Sequence, residues 1–170
     1  LNSYSAALSG APDAQVAIGD IQLPGTPPVE SDTVPLTVTL HNPGPVDTGG
    51  LTAAFFATPP GGEEWYIGST FVSNIPRNDS AQTTLDWNTL GFSGEVPIRV
   101  QIDPYDRVDE SSESNNQAAA TLSILTRPDI RVSALDQPEA DLVATQTGGI
   151  QLVLHNARAT PAPGQAVALS

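Results

Sequence analysis

Val34-Pro35-Leu36-Thr37-Val38-Thr39-Leu40-His41-Asn42 alternates apolar and polar side chains, with Leu36, Val38 and Leu40 on one face. A period of two is the signature of a β-strand with one buried face. Stretches of the same kind lie on either side. Leu51 to Ala57 is a strand closed by Thr58-Pro59-Pro60-Gly61-Gly62, and Glu64 to Val72 carries Trp65, Tyr66, Ile67 and Phe71. Ala81 to Trp87, Val96 to Asp103 and Ala118 to Leu125 follow, and Ala14 to Leu23 precedes, with an irregularity expected near Gly19-Asp20. No segment sustains the helical period of about 3.6 residues. The pattern predicts an all-β chain whose residues 12–126 form an immunoglobulin-like seven-stranded β-sandwich, a fold that uses about 100 residues.

Composition agrees and excludes much chemistry. The 14 glycines and 16 prolines punctuate short apolar runs, as turns between strands do. No run reaches the roughly 18 apolar residues of a membrane helix. The chain carries 19 acidic and 6 basic residues, a net charge of −13, which repels phosphate backbones and anionic lipid surfaces. Nucleic acid and membrane insertion are therefore not expected. All the basic residues are arginine, so Schiff-base chemistry and a P-loop lysine are absent. Without cysteine there is no disulfide, thiolate metal site or thiol nucleophile.

The chain also repeats itself. Pro12-Asp13 opens a segment that reaches Leu40-His41-Asn42, and Pro128-Asp129, 116 residues on, opens one that reaches Leu154-His155-Asn156. Residues 127–170 are thus predicted to be the first part of a second, incomplete sandwich. Tyr4, Ala6 and Leu8 alternate before Pro12 in the register that Ala120, Leu122 and Ile124 hold before Pro128. Residues 1–11 therefore read as a leading strand belonging to a preceding or neighbouring unit. Two arrangements follow: a tandem array within a longer chain, or donation of that strand to another copy, head to tail, by β-strand complementation.

These residues resemble the cell-adhesion-related domain found in bacteria and archaea, CARDB. The likeness rests on the Pro12-Asp13 opening and its copy, on Val38-Thr39-Leu40-His41-Asn42-Pro43-Gly44, and on Val100 to Pro104 running through to Glu110-Ser111-Ser112-Glu113-Ser114-Asn115-Asn116. Trp87 and Gly94 fit as well. The second copy departs from the pattern, with Arg158 in place of the glycine and no acidic close. The resemblance implies an extracellular, adhesive or architectural role without enzymatic activity.

Several residues are candidates for chemistry. Asp103, Asp106, Glu110 and Glu113 crowd one interstrand loop with Asp109, Asn115 and Asn116, and such a loop could offer calcium its six to eight oxygens. The same residues could equally be a solvated turn whose side chains bond its own backbone. Calcium is the only cofactor these residues suggest. His41 and His155 occupy equivalent repeat positions in separate units, which argues for structural roles rather than a shared metal. Glu63-Glu64 lies in a Gly-rich turn, without the cleft a pair of glycosidase acids needs. No Gly-x-Ser-x-Gly elbow occurs, so no enzyme is expected. Among the aromatics, Trp87 is expected in the core, one of Phe55 and Phe56 faces out, and Trp65 or Tyr66 could form an exposed platform for a glycan or protein. Asn78-Asp79-Ser80 is a glycosylation sequon in a turn, with Asn78 as acceptor. The overall expectation is a non-enzymatic extracellular subunit of a surface array or filament, partnered by itself or by adjacent repeats. The alternative is a ligand-binding module of a tandem-repeat adhesin or secreted enzyme.

Overall fold

Alternation in the strand β2 (Thr33–Asn42) becomes burial in the computed structural model, which describes residues 10–136 and 151–156. Val34, Leu36, Val38, Leu40 and Asn42 point inward and are buried. Thr37 and Thr39 point out, where the Thr37 hydroxyl lies 2.8 Å from that of Thr84. The short β1 (Ile21–Gln22) pairs with one edge of β2, and β5 (Asp79–Asn88) pairs along its whole length, from Thr33↔Asn88 to Asn42↔Asp79. A second antiparallel sheet has the order β4 (Trp65–Val72), β3 (Leu51–Ala57), β6 (Gly94–Ile102), β7 (Gln117–Ile124). The two sheets enclose one core. Leu36, Val38 and Leu40 meet Phe55, Ile98, Val100, Ile102, Leu122 and Ile124. Each such side chain contributes about 1.5–3 kcal/mol on burial, which is how the sandwich holds without a disulfide. Trp87 is buried as expected and sets its ring edge-on to Phe92 at 4.9 Å.

The sandwich has the seven predicted strands, and β2 to β7 begin and end within two residues of their expected bounds. The first strand is shorter than the expected Ala14 to Leu23, broken at the irregularity expected near Gly19-Asp20. At Ile18–Asp20 the chain makes a 3-10 turn, with the Asp20 carboxylate accepting the Ala17 N–H at 2.8 Å. This break lets one stretch of chain serve both sheets. Before the turn, Gln15 pairs with His41 of β2, while the Val16 N–H donates to Asn115 O just ahead of β7. After it, Ile21 pairs with Val38, and Val29 then bridges Leu125 in parallel.

The chain divides into two units between Leu125 and Thr126. In the second unit β8 (Ile130–Asp136) and β9 (Gln151–Asn156) form an antiparallel pair, with Arg131 opposite His155 and an irregularity between Val132 and Ala134.

Candidate functional site

The motifs quoted from the sequence meet at one corner of the first sandwich. Asn42 is fully buried at the end of β2, and its side chain makes four hydrogen bonds. Its Oδ1 accepts the N–H groups of Asp13 and Gly44, both at 3.0 Å. Its Nδ2 donates to Val46 O at 2.8 Å and Ile75 O at 3.0 Å. Gly44 is required by close approach, because a Cβ there would stand 2.7 Å from Asp13 N and 2.8 Å from Asn42 Oδ1. The Pro-Asp opening and the Asn-x-Gly close are thus two sides of one contact.

The acidic loop clamps the same segment from the other side. Ser111 N–H donates to Pro12 O, and Asn115 Nδ2 reaches Asp13 Oδ1 at 3.0 Å. Glu110, only 2 % exposed, accepts the Ala14 N–H on Oε2 and Asn116 Nδ2 on Oε1 at 3.2 Å. Its carboxyl is pushed up to about 7, chiefly by burial and also by the charges of Glu113 and Asp103, against the bonds from Ala14 and Asn116. Glu113 accepts Glu110 N–H on Oε1 at 3.2 Å and Asn116 Nδ2 on Oε2 at 3.0 Å. Asp103, in the left-handed region at φ 43°, accepts the N–H groups of Arg107 and Val108 on Oδ2, both at 2.7 Å.

Three of the four acids proposed for calcium already accept hydrogen bonds in this arrangement. Glu110 and Glu113 accept main-chain N–H and amide donors on both oxygens, and Asp103 accepts two main-chain N–H groups on Oδ2. Among the described residues no three of His, Asp and Glu are grouped to hold a metal. The loop is a turn that bonds its own backbone and fastens the N-terminal segment. His41 pairs with Asp20, Nε2 to Oδ1 at 2.9 Å, and the two histidines sit in separate units.

The aromatic residues divide as parity requires. Phe55 is buried and Phe56 half-buried, whereas Trp65 and Tyr66 are both exposed, at 56 % and 60 %. Trp65 lies at the rim of the core, edge-on to Phe92 at 5.6 Å. Tyr66 sits on the outer face, against Phe56 at 5.8 Å. Phe71 and Arg99, which no sequence motif singles out, share that face. Phe71 is 70 % exposed, and Arg99 is clamped by Glu64 at 2.8 and 2.6 Å. Glu64 is thereby held below the ordinary carboxylate range, chiefly by this hydrogen bonding, with the arginine's charge adding to it against burial. Asn78 is exposed in a turn at φ 55°. The strand proposed for donation, with Tyr4, Ala6 and Leu8, lies outside the described residues. No helix among the described residues is long and apolar enough to cross a membrane.

The family model CARDB matches residues 11–120. A CARDB domain from Pyrococcus furiosus, solved in complex with di-metal ions, is similar at 21 % identity and a TM-score of 0.54, covering 68 % of this chain and 90 % of that one. A domain from Methanosarcina acetivorans, of a protein described as a cell-surface protein, is similar at 22 % identity and a TM-score of 0.54, covering 68 % and 93 %. At these identities the likeness is one of fold. No curated protein matches the chain.

Proposed function

This chain belongs to the CARDB family of cell-adhesion-related domains of bacteria and archaea, and from that premise we propose that it is a non-enzymatic module of a tandem array at the cell surface. In this reading the first sandwich is one repeat and Thr126 onward opens the next. The observation that carries it is a shared register. Gln15 pairs with His41 in the first unit, and Arg131, at the position equivalent to Gln15, pairs with His155, at the position equivalent to His41. A matching sequence alone could drift into another fold; the same residues opposite each other in both units argue for one opening hairpin used twice. Tyr4, Ala6 and Leu8 extend the series backwards, since they repeat the register of β7 ahead of the Pro-Asp opening. The surface location is supported by the family and by the Methanosarcina protein. The metals of the Pyrococcus domain form no part of this reading, which rests on the repeat alone.

Amide hydrogen exchange on the whole chain tests the repeat. Protection at Val132 and Leu154 is expected; exchange of both strands at unfolded-chain rates would remove the second unit from the array. How units join is tested by electron microscopy of the chain beside a version lacking residues 1–10. Filaments lost on that deletion would mean strand donation between copies, and monomers in both would confine joining to repeats along one chain.

A further inference from the structure

The outer face of the four-stranded sheet carries aromatic rings, and a β-bulge puts one of them there. Phe55 pairs with Gly68 and Phe56 with Tyr66, so Ile67 is an extra residue in β4. With strict alternation Tyr66 would face inward with Val72; the bulge turns it outward, onto the face that holds Phe71. Bulges commonly re-aim a side chain in this way. Phe71 pairs with Thr52 and Tyr66 with Phe56 on β3, which spaces the rings about 14 Å apart at about 3.4 Å per residue. Phe71 lies down on the sheet, since a Cβ at Gly50 would come within 2.7 Å of its Cζ. Near Tyr66, the Arg99 guanidinium covers Phe56 at 4.0 Å, and Gln101 Oε1 accepts Arg99 Nη1 at 2.9 Å, leaving the Gln101 amide N–H groups to donate.

We propose that this face binds an uncharged polysaccharide strand, laid along β3 and β4 with sugar rings against Tyr66 and Phe71. It goes beyond the array reading and does not depend on it. Electrostatics favours this occupant. Neither β3 nor β4 contains a charged residue, and beside them Arg99 and Glu64 neutralise each other. The chain's charge of −13 repels anionic partners but not a neutral glycan. Sugar rings present C–H faces to aromatic rings and hydroxyls to the groups between them, and here those are Thr52, Ser69 and Gln101. A protein partner would want a continuous apolar centre instead, which the same three residues interrupt.

The whole chain should be retained in affinity electrophoresis through gels containing a panel of neutral polysaccharides (hydroxyethyl cellulose, xyloglucan, mannan, glycogen, glycol chitin), and not by polygalacturonate. Phe71→Ala and Tyr66→Ala should each weaken retention about tenfold, the equivalent of about 1.4 kcal/mol for a ring contact. Tyr105→Ala, removing an exposed ring in the closing loop, should leave it unchanged. Both test residues are exposed, so the variants should fold, and circular dichroism checks this. Absence of retention on every neutral polymer, or retention indifferent to both substitutions, would overturn the proposal. So would a change in sedimentation with those variants instead of a change in retention, which would make the face a protein-docking surface.

Discussion

Replacing Glu110 by glutamine should flatten the stability profile between acid and neutral pH. In the folded chain this carboxyl titrates near 7, against an ordinary value of 4.5. Between those values the folded state holds a proton that the unfolded state has released. Glu110 therefore contributes stability that is fully present below about pH 4.5, declines as the pH rises, and is lost above about 7. At about 1.36 kcal/mol per unit, the shift sets a ceiling of about 3 kcal/mol. Screening by solvent around a loop at the molecular surface lowers this to about 1–2 kcal/mol. Glutamine keeps an oxygen for the Ala14 N–H. Its amide would need Asn116 to turn, bringing round the Asn116 Oδ1 that has no hydrogen-bond partner in the folded chain. Glu110→Gln should consequently fold. In urea unfolding near pH 4.5 and near pH 8, the wild type should lose about 1–2 kcal/mol more than the variant, the other acids cancelling in the comparison. Hydrogen exchange at Ala14, corrected for intrinsic rate, should accelerate in the same window. Identical pH profiles for the two proteins would refute the reasoning, because burial of Glu110 would then carry no linkage to folding.

Asn42→Ala should cost about 3 kcal/mol or more in urea unfolding, since it leaves the Asp13 and Gly44 N–H groups and two carbonyls without their partner. Gly44→Ala should cost about 2–4 kcal/mol through the clash with Asp13 N. The two changes combined should cost less than their sum, because they break one contact. Arg99→Ala should remove a small stabilisation that is present above the ordinary glutamate range and lost as the pH falls through the lowered Glu64 value; an acid limb unchanged by the substitution would count against the pair.

Six of the seven strands of the sandwich were legible in the sequence because period-two alternation is a local property, as Val34 to Asn42 illustrates. Where the sequence was silent, the deciding neighbour was distant. An irregularity near Gly19-Asp20 was legible, but not that the chain on both sides of it, at Gln15 and at Ile21, pairs with β2. Trp65-Tyr66-Ile67-Gly68 reads as an ordinary strand, and only pairing with β3 reveals that Ile67 is supernumerary and Tyr66 faces out. The acidic loop is the clearest case. Carboxylate oxygens suit a hard cation and a main-chain N–H equally well, so composition could not choose between them. In the folded chain the N–H that Glu110 accepts is that of Ala14, 96 residues away.

The same distance explains what the family motifs are for. Pro12-Asp13, Asn42-Pro43-Gly44 and Glu110 to Asn116 are scattered in the sequence, yet each holds part of one short segment. Asn42 takes the Asp13 N–H, Glu110 takes that of Ala14, and Ser111 donates to Pro12 O. A sandwich without a disulfide must still keep its first strand from peeling off, and a buried side chain that uses all its hydrogen-bonding groups does this through direction as much as strength. That accounts for the Asn-x-Gly spacing: the glycine lets the chain pass close enough for one asparagine to grip both sides. It also explains why the acids of the loop are few in kind but fixed in place. Glu110 receives the N–H of the entering segment, while Asp103 and Glu113 hold the loop itself in shape, and an exposed acidic turn of the same composition would leave that segment unfastened.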